Sequence, residues 1–373
     1  MSIVSDLVHP GATAQHRPIA WIRKRLHEAA NYRLRVAARG RFADACTPTS
    51  ISLLMTERCH ARCVHCDIWQ CKGREKTPSV EQWKTFLSGL AAWLGPVQLT
   101  FTGGEALLRP ETPALVEFAV SKGFFVELLT NGFWTDRSRL ERAALADPWR
   151  ITMSLDGIGQ THSLIRGRER FWEIASGSLD TLVQLRRDRS LHYEILLKTV
   201  IMRQNIDSLQ EIAVYGQRIG AKVFYQPVEN NYNAPDDPEW FKTSPNWPGD
   251  VERAVAQVRE LARLKRQGVP IMNSYRQLEV MESYFRDPAG LQDRVQSHAA
   301  HEQQAICQAL TTLQVQANGD IRICARRPPV GNIADGPIRH IWANRPQYWK
   351  GGCCLDREPN ISVPDDDRIA VLR

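Results

Sequence analysis

Six short runs of apolar residues between positions 51 and 228 constrain the fold of this chain more than any other feature. They are rich in Val, Ile, Leu and Phe and are often followed by Gly, Asn or Asp, a pattern that predicts β-strands. The runs cover 51–56, 97–101, 124–130, 150–155, 193–201 and 222–228. Amphipathic stretches that predict helices lie between them, near 79–94, 112–122, 136–146, 169–187 and 206–220.

Strands that alternate with helices favour an α/β fold built from parallel strands with right-handed crossovers. Only six such units are visible, so the pattern predicts a partial (β/α)6 barrel and not a complete eight-stranded one. Ligands of such sheets bind at the carboxyl ends of the strands, where the polar residues of this sequence lie.

The rest of the chain divides around this barrel, which we place at 49–230. Residues 1–48 form a basic, helical N-terminal extension. Residues 231–300 begin with a stretch rich in Pro, Asn and Asp, which indicates a loop or lid, and continue as a helical linker. Residues 301–373 form a cysteine-bearing C-terminal domain.

Within the N-terminal extension, the segment from Arg17 to Arg41 carries a net charge of +7, which equals the net charge of the whole chain. Between Arg17 and Arg41 there are eight basic residues and a single acidic one, Glu28. Apolar residues recur there at helical spacing, which predicts an amphipathic basic helix. Such a helix either packs on the main domain or binds an anionic partner: a phosphorylated substrate, nucleic acid, an acidic peptide or lipid headgroups.

Nine cysteines and the absence of a recognisable export signal favour metal ligation or redox chemistry in a cytoplasmic protein over disulfides. No run of ~18 apolar residues predicts a transmembrane segment. Directly after the first strand, Cys59, Cys63 and Cys66 have the spacing C-x3-C-x2-C. Three thiolates on one short loop can hold three irons of a 4Fe–4S cluster and leave the fourth iron open. The alternative is zinc, bound with the help of His60, His65 or Cys71.

The segment TERCHARCVHCDIW resembles the signature of the radical S-adenosylmethionine (SAM) superfamily, which has this spacing after the first barrel strand. The family usually has an aromatic residue where this chain has His65. Further motifs follow in the family's order, at Phe101–Glu105, Leu129–Gly132 and Met153–Gly157. The resemblance covers about residues 50–228 and implies that SAM binds the open iron.

The resemblance also implies a set of SAM-binding residues: Gly103, Gly104, Glu105, Asn131, Ser154, Asp156 and Arg166. Glu105 is expected to accept from the SAM ammonium group, and Arg166 to lie near its carboxylate. Read without the resemblance, the same residues are turns, a helix cap and a surface arginine. Lys198 and Gln226, on the fifth and sixth strands, are further candidates for contacts with adenine or substrate.

A second group of cysteines lies in the C-terminal domain: Cys307, Cys324, Cys353 and Cys354. Gly319 predicts a tight hairpin between two short strands, which brings the first two cysteines together. This region resembles the SPASM or shorter Twitch extension of radical SAM enzymes, which implies one auxiliary 4Fe–4S cluster. The adjacent Cys353 and Cys354 depart from that pattern, so one of them is alternatively a free hydrogen-atom donor. A zinc site is the other alternative.

The resemblance implies an enzyme that cleaves SAM to a 5′-deoxyadenosyl radical and abstracts hydrogen from its substrate. A flavodoxin- or ferredoxin-like protein is the expected reductant. We expect a small metabolite, phosphorylated or sugar-like, as substrate, with dehydrogenation, epimerisation and cross-linking all open as outcomes. A ribosomal peptide matured by a SPASM/Twitch enzyme is the first alternative. A non-catalytic iron–sulfur or zinc scaffold that binds nucleic acid is the second.

Overall fold

The computed structural model describes residues 17–34, 42–71, 76–231, 234, 237, 239–290, 308–324 and 327–346. Within them, one sheet of nine strands carries the fold, in the order β6-β5-β4-β3-β2-β1-β7-β8-β9. The first six strands are parallel, as predicted, and each lies within one or two residues of its predicted bounds. They are β1 (Ser50–Leu54), β2 (Gln98–Thr102), β3 (Phe125–Thr130), β4 (Arg150–Ser154), β5 (Glu194–Ile201) and β6 (Lys222–Pro227).

The helices that alternate with these strands were also largely predicted. The crossovers contain α2 (Val80–Leu94), α3 (Thr112–Ser121), α4 (Ser138–Leu145), α5 (Gln160–Arg166), α6 (Phe171–Asp188) and α7 (Leu209–Arg218). The linker forms α8 (Val251–Arg266) and α9 (Tyr275–Arg286). Helix α5 was not predicted as a separate element. Its seven residues follow the Asp-Gly segment and end at Gly167, which adopts the left-handed conformation that favours glycine.

The two faces of the sheet differ in polarity because side chains alternate along each strand. One face is apolar and fully buried under the helices, as at Ile51, Leu99 and Ile151. The other face lines the interior of the barrel and carries polar residues. Register places Ser154 of β4 beside Lys198 of β5 there. The apolar core therefore lies outside the barrel strands, and the interior is left for a ligand.

The C-terminal strands extend the barrel sheet, which the sequence pattern does not reveal. Strand β7 (Thr312–Val315) pairs in parallel with β1. The predicted hairpin is confirmed, because β8 (Asp320–Arg322) pairs antiparallel with β7 across Gly319, whose φ is 90°. Strand β9 (Gly331–Asn332) and helix α10 (Ile338–Ala343) follow.

Helix α1 (Pro18–Tyr32) packs against the amino-terminal ends of β3 and β4. The Arg17 guanidinium donates to the carbonyls of Gly123 and Phe124, at 2.6 and 3.1 Å. The Lys24 ammonium lies 5.7 Å from the ring centres of both Phe125 and Trp149. One side of α1 therefore packs on the main domain, which is one of the two roles predicted for the basic segment.

The loop after β6 places aromatic side chains in a small cluster. Trp247 is buried and contacts Trp240, Phe241 and the helix α9 residues Tyr284 and Phe285. Beside it, the side-chain amide of Asn246 donates to the Val64 carbonyl at 2.8 Å. Since Val64 lies between two of the signature cysteines, this loop is tied to the cysteine loop.

Candidate metal and cofactor site

The three signature cysteines lie on the loop that leaves the carboxyl end of β1. All three are partly buried and none is in a disulfide. Burial raises the pKa of Cys59 to about 12 and also raises the pKa of Cys66, because a thiolate is poorly solvated there. Ionising these thiols therefore requires compensating positive charge, which a metal cluster and nearby donors supply.

Backbone hydrogen bonds hold this loop against the end of α5. The amides of Arg62 and Val64 donate to the carbonyls of Arg166 and Ile165, both at 2.9 Å. A Cβ on Gly167 would lie 2.2 Å from the Arg62 carbonyl oxygen, so only glycine permits this approach. The cysteine loop and the segment after β4 therefore form one packed unit.

The Gly-Gly-Glu segment after β2 supports the other side of the loop. A Cβ on Gly103 would lie 2.3 Å from the Thr56 carbonyl oxygen, and one on Gly104 would lie 2.5 Å from that of Arg58. The two glycines therefore permit close packing of the chain on itself, and their predicted contact with SAM remains a prediction.

Glu105 is fully buried and joins the second strand unit to the third. Its carboxylate accepts a hydrogen bond from the backbone amide of Asn131 at 2.7 Å and another from the Thr130 hydroxyl at 3.0 Å. Burial raises its pKa to about 7, and these hydrogen bonds oppose the shift. The side-chain amide of Asn131 in turn points at the Cys59 sulfur, 3.6 Å away. Glu105 thus orients a donor to a cysteine, while its predicted contact with SAM remains a prediction.

A second carboxylate orients a donor to Cys63. Asp156 is fully buried, and one of its oxygens lies 2.6 Å from the Arg166 guanidinium. Another nitrogen of Arg166 lies 3.5 Å from the Cys63 sulfur. Burial disfavours the charged arginine, but Asp156 and Cys63 outweigh this and raise its pKa. The reading of Arg166 as a surface residue is therefore wrong: its exposed fraction is 6%.

Two further histidines reach this interior: His65, which is an alternative zinc ligand in the sequence, and His162, which has no predicted role. The Asp156 amide donates to Nδ1 of the buried His162 at 3.1 Å, and burial lowers the pKa of His162 to about 3. Its ring is therefore neutral, with the proton on Nε2. Burial likewise lowers the pKa of His65 to about 4, in the field of Asp156, Arg166 and Lys198. In the sequence, His65 stands out only by its position directly before the third cysteine.

The barrel interior presents the remaining candidates on one face. Strand register puts Lys198 of β5 between Ser154 of β4 and Phe224 of β6. Gln226 lies two residues after Phe224 and therefore on the same face of β6. Burial lowers the pKa of Lys198. Among the described residues, no carboxylate is within ion-pair distance of its ammonium. These side chains border the space that a cofactor or substrate would enter.

A separate cavity of about 380 Å³ opens beside the cysteine loop and is lined by His60, Phe133, Arg168 and Glu169. The His60 carbonyl accepts from Arg168 at 2.9 Å, and its ring contacts Phe133 edge-on.

The donor set fits a thiolate-bound cluster. Three thiols share one loop, and neutral and cationic N–H donors point at two of the sulfurs, an arrangement that stabilises anionic iron–sulfur sites. Within the described ranges, no three His, Cys, Asp or Glu side chains converge closely enough to hold a single metal ion. Cys324 follows β8, whereas Cys307, Cys353 and Cys354 lie outside the described residues, so the auxiliary cluster stays a prediction.

The comparisons with known proteins agree with this site. Residues 53–214 match the family model described as Radical SAM superfamily, a range that includes the three signature cysteines and the seven SAM-binding residues that the resemblance implies. The chain therefore contains a radical SAM domain, and the family predicted from its motifs is confirmed. Proteins of this superfamily use a 4Fe–4S cluster and SAM. In the described part of the chain, no helix is long and apolar enough to cross a membrane.

Among curated proteins, similarity extends to both tetrapyrrole and peptide enzymes. AdoMet-dependent heme synthase of Methanosarcina barkeri is 23% identical over 324 residues, which cover 82% of this chain and 87% of that protein. PqqA peptide cyclase of Rhodopseudomonas palustris is 30% identical over 166 residues, covering 44% of this chain and 42% of that protein. The sporulation killing factor maturation protein SkfB of Bacillus subtilis is 27% identical over 182 residues, covering 48% and 42%. The chain thus spans less than half the length of these last two.

Solved structures confirm the fold. SuiB of Streptococcus suis bound to SAM superposes with a TM-score of 0.61 at 12% identity, covering 81% of this chain and 67% of that one. The enzyme anSMEcpe with bound AdoMet gives a TM-score of 0.56 at 14% identity, covering 79% and 77%. At these identities the likeness shows the shared partial barrel alone.

Proposed function

We propose that this chain is a radical SAM enzyme that modifies a peptide. The observation that supports radical SAM chemistry best is the cysteine loop with two carboxylate-oriented donors. The peptide substrate is favoured by the curated relatives, which include a PqqA peptide cyclase and SkfB, and by SuiB, whose structure is also known with its precursor peptide SuiA. The alternative from the sequence is thus better supported than the small metabolite that we first expected.

Cys59, Cys63 and Cys66 would hold the cluster in this proposal. When bound, such a cluster would supply the single electron that reductive cleavage of SAM requires. A flavodoxin- or ferredoxin-like protein is the proposed electron donor.

The chain's own residues have distinct tasks around the cluster. Asn131 and Arg166 orient N–H groups toward two cysteine sulfurs, which stabilises their thiolate form. Ser154, Lys198 and Gln226 face the barrel interior, where the ammonium of Lys198 suits a carboxylate of the substrate or cofactor.

The test begins with anaerobic protein reconstituted with iron and sulfide and reduced with dithionite. We expect 5′-deoxyadenosine from SAM, and we expect Cys63→Ala to lose both this product and the iron of the signature cluster. Cys71→Ala is the matched control, since Cys71 lies outside the motif and was a candidate zinc ligand. Loss of iron in both variants, or a Cys63→Ala variant that cleaves SAM at the normal rate, contradicts the assignment.

Substrate class requires a separate experiment. Co-expression with short peptides encoded near the gene should give a peptide with a changed mass, and the Cys63→Ala variant should leave the mass unchanged. A tetrapyrrole substrate is the second candidate, because the heme synthase similarity extends over 82% of the chain. Conversion of an iron porphyrin by the reconstituted protein, with no peptide modified, would favour that candidate.

A further inference from the structure

Helix α1 presents a stripe of large aliphatic side chains to solvent. Ile19, Ile22 and Leu26 are 75%, 51% and 65% exposed. Their spacing of three and four residues places them on one side of the helix. In a soluble domain such a stripe ordinarily faces the core.

The opposite side of α1, which does face the protein, is polar. Lys24 and Asn31 are buried, with exposed fractions of 8% and 4%. Asn31 exchanges hydrogen bonds with Thr47, and Lys24 lies over the rings of Phe125 and Trp149. The helix is thus attached through its polar side, and the aliphatic stripe is not part of the core that the described residues form.

The exposed side of α1 is also cationic. Arg23 and Arg33 are exposed, and helical geometry puts both on the side of the aliphatic stripe. The single acidic residue of this segment, Glu28, lies 2.5 Å from the Lys24 ammonium and 2.9 Å from the Arg25 guanidinium. Its charge is therefore already compensated. Among the described residues no carboxylate forms an ion pair with Arg23 or Arg33, so the surface offers aliphatic side chains flanked by cations.

We propose that this side of α1 binds the surface of an anionic lipid bilayer. Aliphatic side chains that enter the boundary between headgroups and acyl chains, with arginines at the phosphates, are the features of an interfacial helix. The surface is a convex helical ridge, whereas a peptide is ordinarily held in a groove. This inference is independent of the proposed function.

Sedimentation of the full-length protein with lipid vesicles tests the proposal. We expect the protein to bind vesicles of phosphatidylglycerol mixed with phosphatidylcholine and to bind pure phosphatidylcholine weakly. The double variant Ile22→Asp and Leu26→Asp should lower the partition coefficient at least tenfold, because two aliphatic side chains no longer enter the bilayer. Replacing Arg23 and Arg33 by Gln should lower it by about fivefold for each charge and reduce its dependence on salt.

The matched control replaces two exposed aliphatic residues elsewhere, Leu145→Asp and Val214→Asp, which are 49% and 53% exposed. This control should bind vesicles as the unmodified protein does, and circular dichroism should show that every variant is folded. Equal loss of binding in the control would overturn the proposal. Failure of the unmodified protein to bind anionic vesicles would also overturn the proposal. In that case, a change of oligomeric state or weaker binding of a substrate peptide in the α1 variants would identify a different partner for this surface.

Discussion

At the scale of single residues, the site contains two similar contacts, in each of which a buried carboxylate holds a residue that donates toward a cysteine sulfur. Glu105 fixes Asn131, which faces the Cys59 sulfur, and Asp156 fixes Arg166, which faces that of Cys63. Each arrangement joins residues that are far apart in the sequence. A buried carboxylate needs such partners, because leaving its charge without hydrogen bonds in the interior is costly. The four residues therefore stabilise one another as well as the cysteine loop.

Gly167→Ala tests how closely this loop is packed. We expect it to destabilise the protein by about 2 kcal/mol and to lower the iron retained after reconstitution, because the new Cβ would meet the Arg62 carbonyl at 2.2 Å. Gly159→Ala is the matched control, since its φ is also positive, at 60°, but nothing lies within 4 Å of its Cβ. Denaturant unfolding and iron analysis measure both effects. Equal losses of stability and iron in the two variants would show that the whole effect comes from the positive φ and not from the close approach to Arg62.

At the scale of elements, ion pairs connect neighbouring strands near the amino-terminal end of the sheet. Glu194 of β5 lies 2.8 Å from the Arg150 guanidinium of β4 and 2.7 Å from the Lys222 ammonium of β6. Burial alone would raise the pKa of Glu194, but these two cations hold it below its usual value. The ionised carboxylate therefore stabilises the folded state, with a contribution that depends on pH.

The Glu194→Gln variant should be less stable at neutral pH by an amount on the order of 2 kcal/mol, because Lys222 loses its ion pair and Arg150 keeps only its longer contact with Glu127. The folded-state pKa lies below the unfolded value of about 4.5, so the stabilisation is present above that value. It is lost as the pH falls through the folded-state pKa. Urea unfolding of both proteins across this range should show their stabilities converging in acid. A difference that stays constant or grows as the pH falls contradicts this assignment.

At the scale of the whole molecule, the C-terminal strands and the barrel share one sheet. Strand β7 pairs with β1 along four residues, from Ser50 with Thr312 to Leu53 with Val315. Helix α10 adds a second attachment, since the Trp342 indole donates to the Cys46 carbonyl at 2.9 Å. The strand that precedes the cysteine loop is therefore held between β2 and a strand from near the C-terminus.

Leu313→Ala should destabilise the whole protein by about 3 kcal/mol, because Leu313 is fully buried in β7 and its truncation leaves a cavity. We expect one cooperative transition at lower denaturant concentration when tryptophan fluorescence and circular dichroism are followed together. Val214→Ala, on an exposed side chain, should change stability by less than about 0.5 kcal/mol. A separate early transition would show that the C-terminal strands unfold independently of the barrel.

The sequence by itself determined the six parallel strands, the cysteine loop and the family, because strand periodicity and motif spacing are local properties of the chain. The order of the motifs was enough to place Glu105, Asn131 and Asp156 at the same end of the sheet. It did not reveal that their side chains orient donors toward the cysteines, since that depends on rotamers and on neighbours more than twenty residues away.

Only the tertiary structure decided where β7 pairs and which side of α1 faces outward. Strand pairing depends on free backbone groups at a sheet edge, and the residues of β7 look the same whichever strand they join. Likewise, the composition of α1 predicts an amphipathic helix but places its aliphatic side against the core. Contacts of Arg17, Lys24 and Asn31 reverse that orientation, because they satisfy polar groups at the barrel's amino-terminal end and leave Ile19, Ile22 and Leu26 exposed.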